Sequence, residues 1–349
     1  MCKNLTNHSS LTTNHYRTIV SVTPFAQQIE HSQWLVFIGS CFAENIGARF
    51  RQARFRTDVN PFGVLYNPLS IASALRRLIS AKPYGENDLF FDSGQWHSAD
   101  HHSSFSDKDK SACLQKINSR LAEASENLRN ARHLFITFGT AWIYEWAENG
   151  KIVGNCHKIL AKKFKRRRLS VDEIVVEYDG LMCELRNFNP DINIVFTVSP
   201  IRHWKDGARE NNLSKSTLLL AIDNLASPQP PPKEGEQAGA SSFPPLGELE
   251  GAVGSGVVVY FPAYEIVMDD LRDYRFYALD MIHLSDVAID YIWERVGEAF
   301  FSKKTRKIVD EAMQINKARE HRPFNPESEE YWNFIKAIDK KENELIKKI

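Results

Sequence analysis

Four short apolar runs, rich in β-branched and aromatic residues, constrain the fold of this chain more than any other feature. Each run ends at a Gly, Pro or Ser. Strands that are buried on both faces of a parallel sheet have this continuous apolar character. The runs occupy residues 34–38, 134–138, 194–198 and 257–261. Segments with helical periodicity lie between them, at 70–79, 113–128, 171–185 and 218–225. This alternation predicts a three-layer α/β domain built on a parallel sheet.

The chain divides into one large domain, an insertion and a C-terminal extension. The α/β pattern covers residues 17–300. Residues 227–256 interrupt it with a stretch crowded with Pro and Gly, which buries too little apolar surface to offset its chain entropy, and we predict a flexible insertion there. Residues 301–349 carry charged amphipathic stretches that predict a helical extension used for packing or capping.

Composition excludes several classes of protein. The 349 residues hold 44 Lys plus Arg and 44 Asp plus Glu, so the chain lacks the basic excess of a dedicated nucleic-acid binder. The sequence shows neither a membrane-spanning apolar run nor, in its first thirty residues, an apolar signal core. The five cysteines are odd in number and form no Cys-x-x-Cys pair, which predicts free thiols and no structural zinc site. We therefore expect a cytoplasmic protein without nucleic-acid or membrane partners.

The candidate site residues follow the apolar runs directly. In an open parallel sheet, ligands bind outside the carboxyl ends of the strands, so the polar residues at these ends are considered first. The four segments are Gly39-Ser40-Cys41, Gly139-Thr140-Ala141-Trp142, Ser199-Pro200-Ile201-Arg202-His203, and, beyond the fourth run, Asp280-Met281-Ile282-His283.

Ser40 and Cys41 are the candidate nucleophiles. Gly39 permits a tight turn from strand to helix, which places Ser40 and Cys41 at the amino end of a helix. The free N–H groups and the positive dipole end there lower a thiol pKa and stabilise an oxyanion. An ordinary helix cap explains the same residues, because Ser is a favoured N-cap and Cys is often buried.

Asp280 and His283 are the candidate acid–base pair. Their spacing allows the carboxylate to face the imidazole, fix its tautomer and stabilise the imidazolium, as a histidine base requires. A surface turn is the competing interpretation, because Asp is a common turn residue.

Several motifs in order resemble the GSCFA family. Gly39-Ser40-Cys41-Phe42-Ala43 matches the motif that names it, and the resemblance extends over residues 17–300. The further matching motifs are 60–63, 66–68, 139–142, 155–158, 199–203 and 271–277. The family looks like a branch of the SGNH (GDSL-like) hydrolases, which implies a flavodoxin-like parallel sheet and esterase, acyl hydrolase or acyltransferase activity.

The resemblance assigns roles residue by residue. Aligned with the superfamily's Gly-Asp-Ser block, Cys41 takes the nucleophile position and Ser40 the position of Asp; a one-residue shift makes Ser40 the nucleophile. Gly63 matches the second block, as a backbone oxyanion donor, and Asp280 with His283 matches the last. The third block, usually Gly-x-Asn-Asp, begins here at Gly139 and lacks its oxyanion Asn. The residues that can replace this Asn are Asn67, Asn155 and Arg202; Arg202 and His203 can also bind an anionic substrate.

Two clusters of polar side chains lie outside these motifs. His97, His101 and His102 surround Asp100, but their spacing matches no strong zinc signature, so a loop is the first interpretation and polar residues of a substrate pocket the second. The basic run at 162–168 is interpreted as a solvated loop, with contact to phosphates or acidic glycans as the alternative.

Three aromatic residues, Trp142, Tyr144 and Trp204, have two equal interpretations. They can form a wall on which a sugar stacks, or they can be buried aromatics of the core.

The favoured function is hydrolysis or transfer of an acyl or acetyl ester without a metal or organic cofactor, on a small-molecule or glycan ester. The glycan preference rests on superfamily analogy. The alternative is a catalytically degenerate module of the same fold that binds a glycan or an anionic metabolite; the missing Asn favours it. Nucleic-acid binding through the basic run is the third hypothesis. The sequence carries no signal of oligomeric state.

Overall fold

The computed structural model describes residues 18–226 and 256–349. The predicted insertion at 227–256, except for Gly256, lies outside these described residues. In chain order the strands are β1 (Trp34–Gly39), β2 (Arg56–Val59), β3 (Leu89–Asp92), β4 (Gln95–Ser98), β5 (Ala131–Phe138), β6 (Trp142–Trp146), β7 (Ile152–Val153), β8 (Phe164–Arg168), β9 (Asn193–Val198) and β10 (Val258–Tyr260). The α-helices are α1 (Cys41–Gln52), α2 (Pro68–Ser80), α3 (Lys110–Arg129), α4 (Val171–Phe188), α5 (Gly207–Leu225), α6 (Ala263–Glu265), α7 (Asp286–Phe300), α8 (Lys303–Arg319) and α9 (Glu329–Ile346).

A five-stranded sheet forms the centre of the α/β domain, in the order β10-β9-β5-β1-β2. Every pairing in it is parallel. Counted along the chain, this is the order 2-1-3-4-5 of flavodoxin-like sheets. The predicted fold class is confirmed. All four apolar runs form strands of this sheet; the fifth strand, β2, was missed because its sequence Arg-Thr-Asp-Val contains no apolar run.

Two hydrophobic clusters cover the two faces of the sheet. Side chains alternate between faces along a strand, so Val36 and Ile38 of β1 join one cluster while Leu35 and Phe37 join the other. The first cluster packs against α2, α3, α4 and α5, and the second against α1 and α7. The central strands β1, β5 and β9 are therefore buried on both sides, which explains why their runs are predominantly apolar.

The basic run forms strand β8 rather than the solvated loop expected from its charge. It pairs with β6 in a small antiparallel sheet, β7-β6-β8, and its arginines face carboxylates. The ion pairs are Arg166–Asp206, Arg167–Glu145 at 3.0 Å, Arg167–Glu173 at 2.6 Å and Arg168–Glu210 at 3.2 Å. The charges of the three arginines are therefore compensated, whereas Lys162, Lys163 and Lys165 of the same run are exposed.

Helices α8 and α9 form the C-terminal region and pack on the end of α1 opposite the Ser40–Cys41 turn. Asn316 of α8 donates a hydrogen bond to the Gln52 carbonyl at 2.9 Å, and Arg54 pairs with Glu342 of α9 at 2.8 Å. Their own apolar contacts form a small separate cluster around Ala312. In the described ranges, no helix is both long and apolar enough to cross a bilayer.

Candidate active site

The candidate site lies at the carboxyl ends of β1 and β5, where the strand order of the sheet reverses. The connection from β1 leads to β2 on one side, and the next strand, β5, lies on the other side. Such reversal points open a crevice that binds ligands in α/β sheets. Gly39, the last residue of β1, and Gly139, the first residue after β5, therefore border the crevice.

The turn after β1 requires glycine at position 39. Its φ is +142°, and a Cβ atom there would lie 2.2 Å from the carbonyl oxygen of Thr137 on the neighbouring strand. The side chain of Asn60 accepts the Gly39 N–H at 2.8 Å, and the Ser40 N–H donates to the Thr137 carbonyl at 3.3 Å. Sequence reasoning assigned no role to Asn60, although it opens the Asn-Pro-Phe-Gly motif.

Ser40 and Cys41 differ sharply in accessibility. Ser40 is 1% exposed, and its Oγ accepts the N–H of Phe42 at 3.3 Å, so it is the N-cap of α1. Cys41 is the first residue of α1 and is partly exposed. Of the two candidate nucleophiles, Cys41 is the one with an accessible side chain.

The pKa of the Cys41 thiol is raised, not lowered as its helix position led us to expect. Burial is the largest cause, and the carboxylate of Glu44 adds to the rise. The N–H groups of Cys41 and Phe42 and the charge of Lys215 oppose the rise without cancelling it. The expectation was wrong because desolvation of the thiolate outweighs the helix amino end.

This shift predicts slow alkylation of Cys41 near neutral pH. The thiolate is the reactive form, so the rate constant with iodoacetamide is expected to rise with pH and reach half its plateau above the ordinary thiol pKa of about 8.5. The exposed Cys183 is the internal reference, and mass spectrometry of the two peptides gives both profiles in one experiment. A Cys41 midpoint below 8 would contradict this prediction.

Asp280 and His283 form a close pair in a tight loop. The Nδ1–H of His283 donates to Oδ2 of Asp280 at 2.6 Å, which leaves Nε2 as the acceptor of a neutral ring. The other oxygen, Oδ1, accepts the N–H groups of Ile282 and His283 at 3.0 and 2.9 Å. These bonds lower the pKa of Asp280 to about 2, so the carboxylate stays ionised at any physiological pH.

His283 is linked to the crevice through His203. The charge of His283 is one of the causes that lower the pKa of His203. The His203 ring meets the Tyr66 ring edge-on at a centroid distance of 5.2 Å, and the negative charge of Cys41 contributes to the raised pKa of Tyr66. Of these residues, Tyr66 and His203 are in direct ring contact, whereas Cys41 and His283 act on them through charge. No hydrogen bond joins His283 to Ser40 or Cys41 within the described ranges; the His283 side chain is 53% exposed.

His203 and Arg202 lie deeper in the crevice than His283. Burial lowers the pKa of His203 to about 4, so its ring is neutral at neutral pH. Its Nε2 would be 3.3 Å from a Cβ placed on Gly139. The charge of Arg202 lowers the pKa of Lys215, and its guanidinium also contacts Met268 Sδ at 3.6 Å. Both residues thus border the crevice, as a role in substrate binding requires.

Two of the expected oxyanion donors already have backbone partners. The Gly63 N–H donates to the Asn60 carbonyl at 2.7 Å, and the Gly139 N–H donates to the Tyr66 carbonyl at 2.8 Å. A Cβ on Gly63 would lie 2.2 Å from the His102 Cβ, so this glycine is needed for close packing. The backbone donors expected at Gly63 and Gly139 are thus occupied in this conformation.

The asparagines considered as replacements for the missing oxyanion donor serve local structure. Oδ1 of Asn67 caps α2 by accepting the Ser70 N–H at 2.8 Å, and Oδ1 of Asn155 accepts the His157 N–H at 2.8 Å. These bonds use Oδ1 and not Nδ2, which is the group that would donate to an oxyanion, so both asparagines stay candidates beside the cationic Arg202.

Lys215 is the residue that sequence reasoning missed. It is 1% exposed, and its Nζ donates to the carbonyls of Gly139 and Ser199, both at 2.6 Å. The predicted helix began at 218, but α5 begins at Gly207 and carries Lys215 on its buried face. A lysine three residues before a predicted apolar helix gives no sign in sequence of being buried.

His97 of the histidine cluster lies in β4, while His101 and His102 follow in the predicted loop, and hydrogen bonds join the cluster to neighbouring serines. His97 bonds to Ser106 Oγ at 2.6 Å, and His101 bonds to Ser98 Oγ at 2.9 Å. Burial lowers the pKa of His101 to about 3, so its ring is neutral. Where the structure describes the chain, no group of three or more His, Cys, Asp or Glu is arranged to hold a metal ion.

The aromatic residues considered for sugar stacking lie in different environments. The guanidinium of Arg166 covers Trp142 at 4.3 Å from the ring centroid and Tyr144 at 5.2 Å. Trp204 is 50% exposed and remains open for stacking.

Comparison with known protein families identifies the family of this chain. A model of the GSCFA family matches residues 34–296, and a model described as the GSCFA domain protein, C-terminal domain, matches residues 312–349. No curated protein matches the chain. The first match covers well over half of the sequence and includes both the Ser40–Cys41 turn and the Asp280–His283 loop. The chain belongs to the GSCFA family.

Proposed function

We propose that this protein hydrolyses or transfers an acyl or acetyl ester, with Cys41 as the nucleophile, His283 as the base and Asp280 as its positioning residue. The observation that carries the proposal is the Asp280–His283 pair. With Nδ1 donating to the carboxylate at 2.6 Å, Nε2 is the nitrogen of the neutral ring that can accept a proton. Cys41 supplies a partly exposed thiol at the amino end of a helix, at the reversal point of the sheet.

The reaction proceeds through a thioester. The Cys41 Sγ forms a bond to the acyl carbon while its proton passes to His283, and the ester C–O bond breaks as His283 returns the proton to the leaving alcohol. Water or an acceptor hydroxyl then attacks the thioester, with His283 again taking and returning the proton. This second step gives hydrolysis or transfer and restores the Cys41 thiol.

The loop at 277–284 has to approach Cys41 for this proton transfer. His283 sits at an exposed position, and catalytic hydrogen bonds in free enzymes are often long and tighten on substrate binding. Bound substrate would bridge the space between His283 and Cys41, with Arg202 placed to meet a negative group on it. The half-exposed Trp204 favours a glycan as the part of the substrate that carries the ester.

The proposal predicts that His283→Gln lowers turnover of p-nitrophenyl acetate by at least about 10²-fold, the typical contribution of general acid–base catalysis. Asp280→Asn should also lower it, because an amide no longer fixes the Nδ1–H tautomer. His321→Gln, at an exposed histidine of the C-terminal region, is the matched control and should leave the rate unchanged. Equal rates in all three variants would rule out the assigned base.

The second candidate function is binding without turnover, of a glycan or an anionic metabolite. The raised pKa of the Cys41 thiol and the occupied N–H of Gly139 favour it, because both weaken ester chemistry. The wild-type protein would then turn over no member of a panel of aryl and sugar esters. Calorimetric titration with sugar phosphates or acidic glycans would instead give binding that Arg202→Met removes.

A further inference from the structure

Lys215 is buried where the loops that follow two strands of the sheet, β5 and β9, meet. Its Nζ donates to the carbonyls of Gly139 after β5 and Ser199 after β9, which uses two of the three N–H groups of an ammonium. The same face of α5 holds the two loops in place. The Asn211 side chain accepts the His203 N–H at 3.0 Å, and Ser214 Oγ accepts the Ala141 N–H at 2.7 Å.

The charge of Lys215 acts on Cys41. A buried ammonium is costly unless an anion or several acceptors compensate it. Within the described ranges, Lys215 forms no ion pair with a carboxylate; the anion that raises its pKa is Cys41. In return, Lys215 is among the groups that lower the pKa of Cys41.

We propose that Lys215 is a positioning residue of the candidate site, whose ammonium group stabilises negative charge on the Cys41 sulfur. This role of Lys215 deepens the proposed function, and its importance for catalysis rests on that function. Its geometric basis is the bond from Nζ to the Gly139 carbonyl, two residues beyond Thr137, whose own carbonyl accepts the Ser40 N–H beside Cys41. As the thiol loses its proton, the ammonium nearby offsets the burial that otherwise opposes the thiolate.

The effect depends on the protonation of Lys215 itself. Burial lowers its pKa to about 7, so the ammonium is present below this pH and is lost as the pH rises through it. Because the pKa of Cys41 is raised, only a small thiolate fraction exists at this pH, and the ammonium acts on that fraction; its effect fades as the pH rises above about 7. The other charged or titratable groups that face the Lys215–Cys41 pair are Glu44, Tyr66, Arg202 and His203.

The first test needs no substitution and no ester turnover. The full-length protein, labelled with [13Cε]lysine, is alkylated at Cys41 with either iodoacetate or iodoacetamide, which add a carboxylate or a neutral amide of nearly the same size. We expect the Lys215 pKa, measured by NMR titration, to be about one unit higher in the carboxymethylated protein. Exposed lysines are the control, and both reagents also modify Cys183. The same Lys215 pKa in both derivatives would overturn the proposal.

The second test uses Lys215→Gln, which keeps two donors and removes the charge. Alkylation of Cys41 by iodoacetamide at pH 7 should slow at least threefold, while Cys183 is unaffected. Lys215→Arg keeps the charge, so its Cys41 rate should stay within about twofold of wild type. A lower melting temperature of Lys215→Gln with an unchanged Cys41 rate would mean that Lys215 only clamps the loops. If the protein shows this coupling but turns over no ester, the proposed function fails and the charge interaction stands.

Discussion

Cys41→Ala is expected to abolish ester turnover, with a loss of at least about 10³-fold in kcat, because covalent catalysis has no other accessible thiol or hydroxyl at this turn. Alanine is a better helix former than cysteine at the first position of α1, so the variant should fold normally. The measurement is the steady-state rate with p-nitrophenyl acetate or butyrate.

Ser40→Ala is the matched comparison for this prediction. Removing the Oγ that accepts the Phe42 N–H costs about 1 kcal/mol of stability, as for other helix N-caps. Turnover should stay within about tenfold of wild type, because the nucleophile is retained. If Ser40→Ala abolished turnover while Cys41→Ala kept it, the buried serine would be the nucleophile and the assignment of Cys41 would be wrong.

Gly39→Ala is expected to produce the largest loss of stability among these variants, about 3 kcal/mol or more in the free energy of unfolding. A φ of +142° is strained for alanine, and its Cβ would lie 2.2 Å from the backbone oxygen of Thr137. Backbone atoms of a central strand cannot yield as a flexible side chain can. Urea denaturation followed by tryptophan fluorescence measures the change.

Gly150→Ala separates the two causes of this loss. Its φ is +71°, but a Cβ there would meet no atom within 4 Å, so only backbone strain is introduced. We expect a loss of about 1 kcal/mol for this control. An equal loss in both variants would show that the contact with Thr137 contributes nothing.

The main strands of the sheet can be predicted from sequence because burial on both faces produces a run of consecutive apolar residues. β1, β5 and β9 each lie between helices on both faces, so nearly every residue of their runs is apolar. Strand β2 was not predicted from sequence because its one buried side chain is Asp58, which pairs with Arg120 of α3.

The basic run at 162–168 was predicted as a solvated loop, but most of it forms strand β8. Its seven residues contain six cations, and sequence alone gives no account of the carboxylates that would meet them. Arg166 faces Asp206 and Arg168 faces Glu210, both more than 35 residues away along the chain. Charge compensation of this kind depends on the packing of β8 beside the start of α5.

The sequence by itself determined the α/β class, the order of the main elements and the residue types that carry chemistry, because periodicity and turn residues act over a few neighbours. Only the tertiary structure decided how those residues behave. Burial raised the pKa of Cys41 although the N–H groups at the amino end of its helix lower it. Helix α5 begins at Gly207 and so carries Lys215 to the Gly139 carbonyl at the crevice. Desolvation and charge pairing depend on groups distant in the chain, and no local pattern contains them.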